Sequence, residues 1–362
     1  MIDFDPSEEQ TLILETVRQF AENEIRPQAR ECEESRKLPD GVLAQAHELG
    51  LVANSLPEEH GGGGEHSAVT GCLVAEELAW GDLAIATAIL SPALLGLPVA
   101  AYGSDSQKRE VLPPLCGPRF EPGALAIVEP RFDSDVFRPK TSARRDGDDY
   151  VLEGEKCFVP WLEGAGPVLV VAAEGDSAQA FLVARNAAGL EATPETNLGA
   201  RGLPTAQLAL RDVRVPASAR LGEAQGADIH QLVDRGRIAL AAMAVGVARA
   251  SYELSLDYAK QRETFGAPIA TRQAIAFKLA DMAIEIDSAR LLTWEAAWRL
   301  DLGEPVTREA TLACDKARRV VLEVSDGAVQ VFGGHGYIRD YLPEMHLRNA
   351  AGFASFEALA LV

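Results

Sequence analysis

The chain has 362 residues, 47% of them hydrophobic and 24% charged, with 34 Lys plus Arg against 54 Asp plus Glu for a formal charge of −20. That length supports a large core and two or three subdomains, and so acidic a chain is expected to bind neither nucleic acid nor an anionic membrane. Cys32, Cys72, Cys116, Cys157 and Cys314 lack the spacing of a zinc or redox pair, so reduced thiols in a cytoplasmic protein are expected.

The opening MIDFDPSEEQ has no signal-peptide core. Residues 1–120 read as a helical domain. DPSEEQTLILETVRQFAENEI begins with a helix-start signal at Asp5, Pro6 and Ser7, and Leu12, Leu14, Val17 and Phe20 then recur near a helical period. PDGVLAQAHELGL and AVTGCLVAEELAWGDLAIATAIL continue the helices. Between them PEEHGGGGEH lacks the Gly-Lys-Ser/Thr of a phosphate loop and reads as a flexible surface loop.

Residues 121–226 change texture. GALAIVEP, PVLVVAAE, AQAFLVAR and AQLALRDVRVP have strand lengths, and TSARRDGDDYVLEGEKCFV reads as a hairpin turning at Asp-Gly-Asp-Asp. A small antiparallel β domain is expected. Residues 227–362 return to helix. Ile275, Leu279, Met282 and Ile286 fall on one face of a long helix, and GGHGY ends a later one. Apolar windows such as IALAAMAVGVARA read as too short to span a bilayer. The fold class is α+β, ordered helices, β domain, helices.

Between Arg348 and Val362 the only ionisable side chain is Glu357, among Phe353, Phe356, Leu359 and Leu361. Two readings stand. It is either a polar residue on the wet side of a terminal helix, or a carboxylate kept dry to act as a base.

QRETFGAPIATRQAIAFKLADM and VQVFGGHGYIRDYLPEMHLRNA closely resemble the acyl-CoA dehydrogenase family. DYVLEGEKCFV and DVRVP are similar to its β-domain motifs, and FDPSEEQTLILETVRQFAENEI to its first helix, so the resemblance runs through the whole chain in order. It implies a C-terminal domain like a four-helix bundle, and FAD bound between the β domain and the C-terminal helices of two subunits. It further implies a homotetramer or heterotetramer, an acyl-CoA substrate and electron-transfer flavoprotein as electron acceptor. Arg262 would meet the FAD diphosphate of the neighbouring subunit, a group that suits a bidentate guanidinium, with Thr264 and Phe265 beside it. Gln273, Gln330, Gly333 and Gly334 match further FAD contacts. Asp234 and Arg237 match an Asp-x-x-Arg motif that touches CoA; as residues alone they read as a helical i, i+3 pair.

Arg348-Asn349-Ala350 followed by Phe356-Glu357-Ala358-Leu359 matches the family's ending at the same spacing, which implies that Glu357 is the catalytic base. Some members carry the base just before the Arg of Asp-x-x-Arg; here that place is Gly236. A dry site suits the role, because desolvation raises a carboxylate's pKa. The implied reaction removes the α-proton of an acyl-CoA while the β-hydrogen leaves as hydride to flavin N5, giving a trans-2-enoyl thioester.

The sequence departs from the family at Val128, Asp133, Pro160 and Ala358-Leu359. Val128 and Pro160 stand where hydroxyl residues meet the flavin, Phe158 where a tryptophan does, and Asp133 adds a carboxylate near a flavin phosphate while Ser134 is kept for cofactor and substrate. Five residues follow Glu357, a shortened C-terminal stretch. A working dehydrogenase therefore stands beside a flavin-poor or non-catalytic subunit of a heteromeric member. An oxidase stays open, and a DNA-associated member is disfavoured by the charge.

Overall fold

The computed structural model describes residues 5–362. α1 (Glu8–Phe20) begins where the sequence places it. The Ser7 hydroxyl accepts from the Gln10 N–H and the Gln10 side chain accepts from the Ser7 N–H, a reciprocal cap that satisfies two helix-end donors. α2 (Ala29–Ser35) and α3 (Val42–Glu48) follow. The apolar stretch read as one helix is two, α4 (Ala68–Gly81) and α5 (Leu83–Leu90). Asp82 breaks it with an extended backbone at φ −162°, and its carboxylate caps the Ile85 N–H at 2.9 Å. α6 (Ala93–Tyr102) and α7 (Asp105–Leu115) close this region.

The four glycines before α4 do not form a loose loop. The N–H groups of Gly62, Gly63 and Gly64 donate to the carbonyls of Pro57, Ala53 and Leu56. A Cβ on Gly62 would lie 2.1 Å from the Leu56 oxygen, so the chain folds on itself at a distance only glycine permits.

The β region holds β1 (Ala124–Ala126), β2 (Ser142–Asp146), β3 (Asp149–Pro160), β4 (Val168–Glu174), β5 (Ser177–Val183), β6 (Leu190–Pro194) and β7 (Thr205–Pro216). They form one sheet in the order β1-β4-β2-β3-β7-β6, with β5 paired to β4. The β2–β3 hairpin turns at Gly147-Asp148, as expected. Most pairs are antiparallel, but β1 runs parallel to β4 and β2 meets β4 in the same sense, so the sheet is mixed.

α8 (Ile229–Gln261), α9 (Gln273–Asp301), α10 (Thr307–Phe332) and α11 (Pro343–Gly352) complete the chain. Leu279, Met282 and Ile286 are buried as their spacing predicts. α8 packs against α4, α9 and α10; at Gly246 a Cβ would lie 2.2 Å from the Glu76 oxygen of α4. Beside that contact Arg249 and Arg290 pair with Glu76 at 3.1 and 3.0 Å, and Arg249 with Glu77 at 2.6 Å. Two stretches, Leu83–Tyr102 and α8, are long and apolar enough to cross a bilayer. The expectation that the apolar windows are too short is corrected on that point. Both stretches lie largely inside the protein, where a core helix needs the same composition.

Candidate active site

Glu357 lies beyond the end of α11, in an irregular segment, so it is not on the wet side of a terminal helix. Nor is it isolated. Its carboxylate is 3.6 Å from Arg237 Nε on α8 and 3.3 Å from an Arg318 nitrogen on α10, and its side chain is 18% exposed. The apolar neighbours in sequence, Phe356 and Leu359, are buried as expected, but the neighbours in space are guanidiniums. Glu357 Oε2 is buried and accepts no hydrogen bond. Arg318 also donates to the Phe356 carbonyl, while its own Nε is buried without a partner.

Arg237 is held by the Thr311 hydroxyl at 3.0 Å and lies 5.7 Å from the Phe137 ring centre. Phe137 in turn stacks on His230 at 4.2 Å. The two rings are thus linked to Glu357 through Arg237. Asp234 is bound instead to α10. It is buried, accepts from the Thr307 hydroxyl at 2.7 Å, and leaves Oδ1 unpartnered; burial pushes its carboxyl up. Arg237 is thus brought to Glu357 and Asp234 is not. At Gly236 a Cβ would lie 2.9 Å from the Ala358 Cα, so glycine there lets the segment after Glu357 cross α8 closely.

The β-region residues form a closed wall. Glu129 is buried and accepts from the Lys140 and Thr141 N–H groups at 2.9 and 2.7 Å and from Lys156 Nζ at 3.1 Å. Burial opposes its charge, but Lys156 and the N–H donors outweigh that and hold the carboxyl below the usual range. Burial pushes the Lys156 ammonium down to about 8 despite the pairing. Ser134 Oγ accepts from the Glu129 N–H at 3.2 Å, and Asp133 sits in an exposed pair with Arg131 at 3.1 Å. The Val128 carbonyl accepts from the Cys157 N–H at 3.0 Å. Phe158 has φ +53°, gives its N–H to both Glu195 oxygens at 3.1 and 3.2 Å, and sets its ring on Phe356 at 6.1 Å. Pro160 is buried at the end of β3, opposite Thr205.

A second region lies at the far end of α8. Arg262 follows the helix and opens a short hairpin of β8 (Glu263–Thr264) and β9 (Ala267–Pro268). At its tip Phe265 has φ +54° and is 99% exposed. Arg262, Thr264, Arg272, Phe332, Gly333 and Gly334 are among the residues lining a cleft of about 490 Å³. A Cβ at Gly333 or Gly334 would meet nothing within 4 Å, so bare backbone faces open space there. Gln273 and Gln330 are exposed and do not line this cleft. An exposed guanidinium beside open backbone suits a diphosphate, so these residues fit that half of FAD. On the ring side the Phe158 N–H is already committed and Pro160 has none.

Arg318, Glu195 and the Phe137–His230 stack were not found by sequence reasoning. Arg318 is one of several charged residues along α10, and nothing in the spacing singles it out. Lys156 left a signal, the lone cation of β3, buried beside the exposed Glu153 and Glu155. Among the described residues no group of His, Cys, Asp and Glu has the arrangement of a metal site.

The N-terminal, middle and C-terminal domains of acyl-CoA dehydrogenase match residues 7–118, 124–213 and 226–357. The chain is similar to a probable acyl-CoA dehydrogenase of Bacillus subtilis (strain 168), 37% identical over 361 residues that cover 96% of this chain and 94% of that protein. Among solved structures it resembles butyryl-CoA dehydrogenase from Megasphaera elsdenii, at TM-score 0.89 and 31% identity, covering 98% of this chain and 96% of the other. It also resembles a chain in a structure described as an electron transferring flavoprotein of Acidaminococcus fermentans, at TM-score 0.90 and 31% identity, covering 98% and 95%.

Proposed function

The chain belongs to the acyl-CoA dehydrogenase family of FAD-dependent oxidoreductases, and we propose that it converts an acyl-CoA thioester to the trans-2-enoyl-CoA with Glu357 as the base that takes the α-proton. The observation that carries this reading is the state of Glu357 Oε2, enclosed yet without a hydrogen-bond donor. Arg318 lies 3.3 Å from Oε1, and Arg237 Nε lies 3.6 Å from Oε2, beyond hydrogen-bond distance, so Oε2 keeps a lone pair for a proton from carbon. Phe356, buried next to Glu357 in the chain, meets the Phe158 ring at 6.1 Å and gives that side an apolar lining, which suits abstraction of a weakly acidic α-proton. FAD, when bound, supplies the acceptor for the β-hydride. Arg262, with Gly333 and Gly334, would hold the diphosphate of a cofactor shared with a second copy or a related subunit.

Assembly is supported by a stripe on α9. Phe277, Ile284 and Leu291 are exposed at seven-residue intervals, a spacing that places them on one helix face. The likeness to a chain of an electron transferring flavoprotein structure supports that class of protein as electron acceptor. Five unpaired thiols and the acidic composition support a cytoplasmic setting. The test is anaerobic mixing of flavin-loaded protein with acyl-CoA. The parent should bleach the flavin, and Glu357→Gln should bind both ligands yet bleach ~10²–10⁴-fold more slowly, the size of a missing general base. An unchanged rate in Glu357→Gln overturns the assignment. The committed Phe158 N–H favours a second reading, a flavin-poor supporting subunit. It is selected if the chain binds CoA thioesters but never bleaches, alone or with a partner.

A further inference from the structure

We propose that segment Ala358–Val362 sets the depth of the acyl pocket and restricts this chain to short acyl thioesters; this rests on Glu357 being the α-proton base. With the α-carbon at Glu357, an acyl group that runs from it into the protein meets the segment that follows Glu357. The chain itself occupies that space. Ala358, Leu359, Ala360, Leu361 and Val362 are all buried. Ala358 and Leu361 share a core cluster with Leu94 and Leu97 of α6 and Leu232 and Val233 of α8.

Separate features fit the helices to this segment. Gly236 of α8 admits Ala358, as described above. Gly71 of α4 admits Val362, whose Cγ1 would be 3.0 Å from a Cβ there. Arg235 donates to the Val362 carbonyl at 2.6 Å and is 3.2 Å from His66 Nε2. Ala358 also has φ +47°, a conformation that alanine keeps only where surrounding contacts impose it. A long acyl chain would have to evict Leu359 or Leu361 from the core, whereas a short one ends before reaching them.

The test measures binding by calorimetry for a series of alkyl-CoA thioethers, butyl to dodecyl, which have no thioester to oxidise. Affinity of the flavin-loaded parent should stop rising, or fall, beyond the shortest members. Leu361→Ala removes an isopropyl group and should move that limit to longer chains, each newly buried methylene gaining roughly fourfold, equivalent to ~0.8 kcal/mol. Leu361→Val is a smaller deletion that serves if Leu361→Ala does not fold, and should move the limit less. The proposal is overturned if the parent gains roughly fourfold per methylene through dodecyl, if folded variants leave the length profile unmoved, or if no thioether binds. Bleaching by butyryl-CoA, measured separately, reports on the dehydrogenase reading: a shifted length profile without bleaching keeps the depth assignment and removes the reaction.

Discussion

The two ends of α8 present opposite kinds of site. At its C-terminal end Arg262 stands exposed beside glycines that face open space, and the hairpin tip carries a fully exposed phenylalanine. At its N-terminal end the charged groups meet partners within the chain, although Glu357 Oε2, Arg318 Nε and Asp234 Oδ1 stay buried without a hydrogen bond. Arg237 and Arg318 meet Glu357, Glu195 takes the Phe158 N–H, and Glu129 takes Lys156 and two backbone donors. An exposed guanidinium and a bare apolar tip are free to meet a ligand or a partner. On the β side the Phe158 N–H and the donors around Glu129 are committed within the chain, so few are left for a cofactor. The diphosphate end is therefore where affinity for a dinucleotide should reside, and the base end is where geometry should.

Breaking the closed end should give the largest effect. Lys156 is fully buried and Glu129 nearly so. Removing one member of a buried ion pair typically costs ~3–5 kcal/mol, because the other charge is left without a partner in a poor solvent for it. Lys156→Met is expected to lower stability by that amount in urea unfolding. Glu129→Ala should cost at least as much, since the Lys140 and Thr141 N–H groups lose their acceptor too. If both variants lose less than ~1 kcal/mol, the wall is held by its apolar packing and the contrast with the open end is weaker than the polar contacts indicate.

Arg262→Ala probes the other end and should leave the fold intact, because the side chain is exposed. Charge-assisted hydrogen bonds contribute about 1.5–3 kcal/mol each, so flavin affinity should fall by roughly ten- to a hundredfold, readable as lost 450-nm-region absorbance after gel filtration. Retained flavin with unchanged unfolding would place the diphosphate elsewhere.

The sequence made the open end more legible than the closed one. Arg262, Thr264, Gly333 and Gly334 sit at helix ends and turns, where a local signal, a helix stop or a glycine pair, coincides with the site. The order of helices and strands was readable for the same reason, since periodicity is local. The closed end depends on contacts between distant residues. Glu357 looked solitary because its partners are 39 and 120 positions away in Arg318 and Arg237. Arg318 is ordinary in its own helix, and Glu195 becomes notable only once β3 turns Phe158 into a left-handed conformation. The break at Asp82 was legible in principle, because an Asp just before an apolar run is an N-cap signal, but the unbroken apolar texture on both sides masked it.

The smallest expected effect restores donors on the closed side. Pro160→Thr adds a hydroxyl and a backbone N–H, and Val128→Thr adds a hydroxyl beside it in the family's pattern. A hydrogen bond to a neutral group contributes about 0.5–1.5 kcal/mol net, so each substitution should raise flavin affinity by no more than about tenfold, measured by titrating FAD into flavin-stripped protein. The gain has an opposing term. Pro160 is buried, and a threonine hydroxyl left there without a partner costs about 1–3 kcal/mol. Higher affinity in Pro160→Thr therefore means that the new groups reach the cofactor, and unchanged affinity with lower stability means that they face the sheet. The second outcome would make the closed wall indifferent to the flavin and leave the open end at Arg262 as the main anchor.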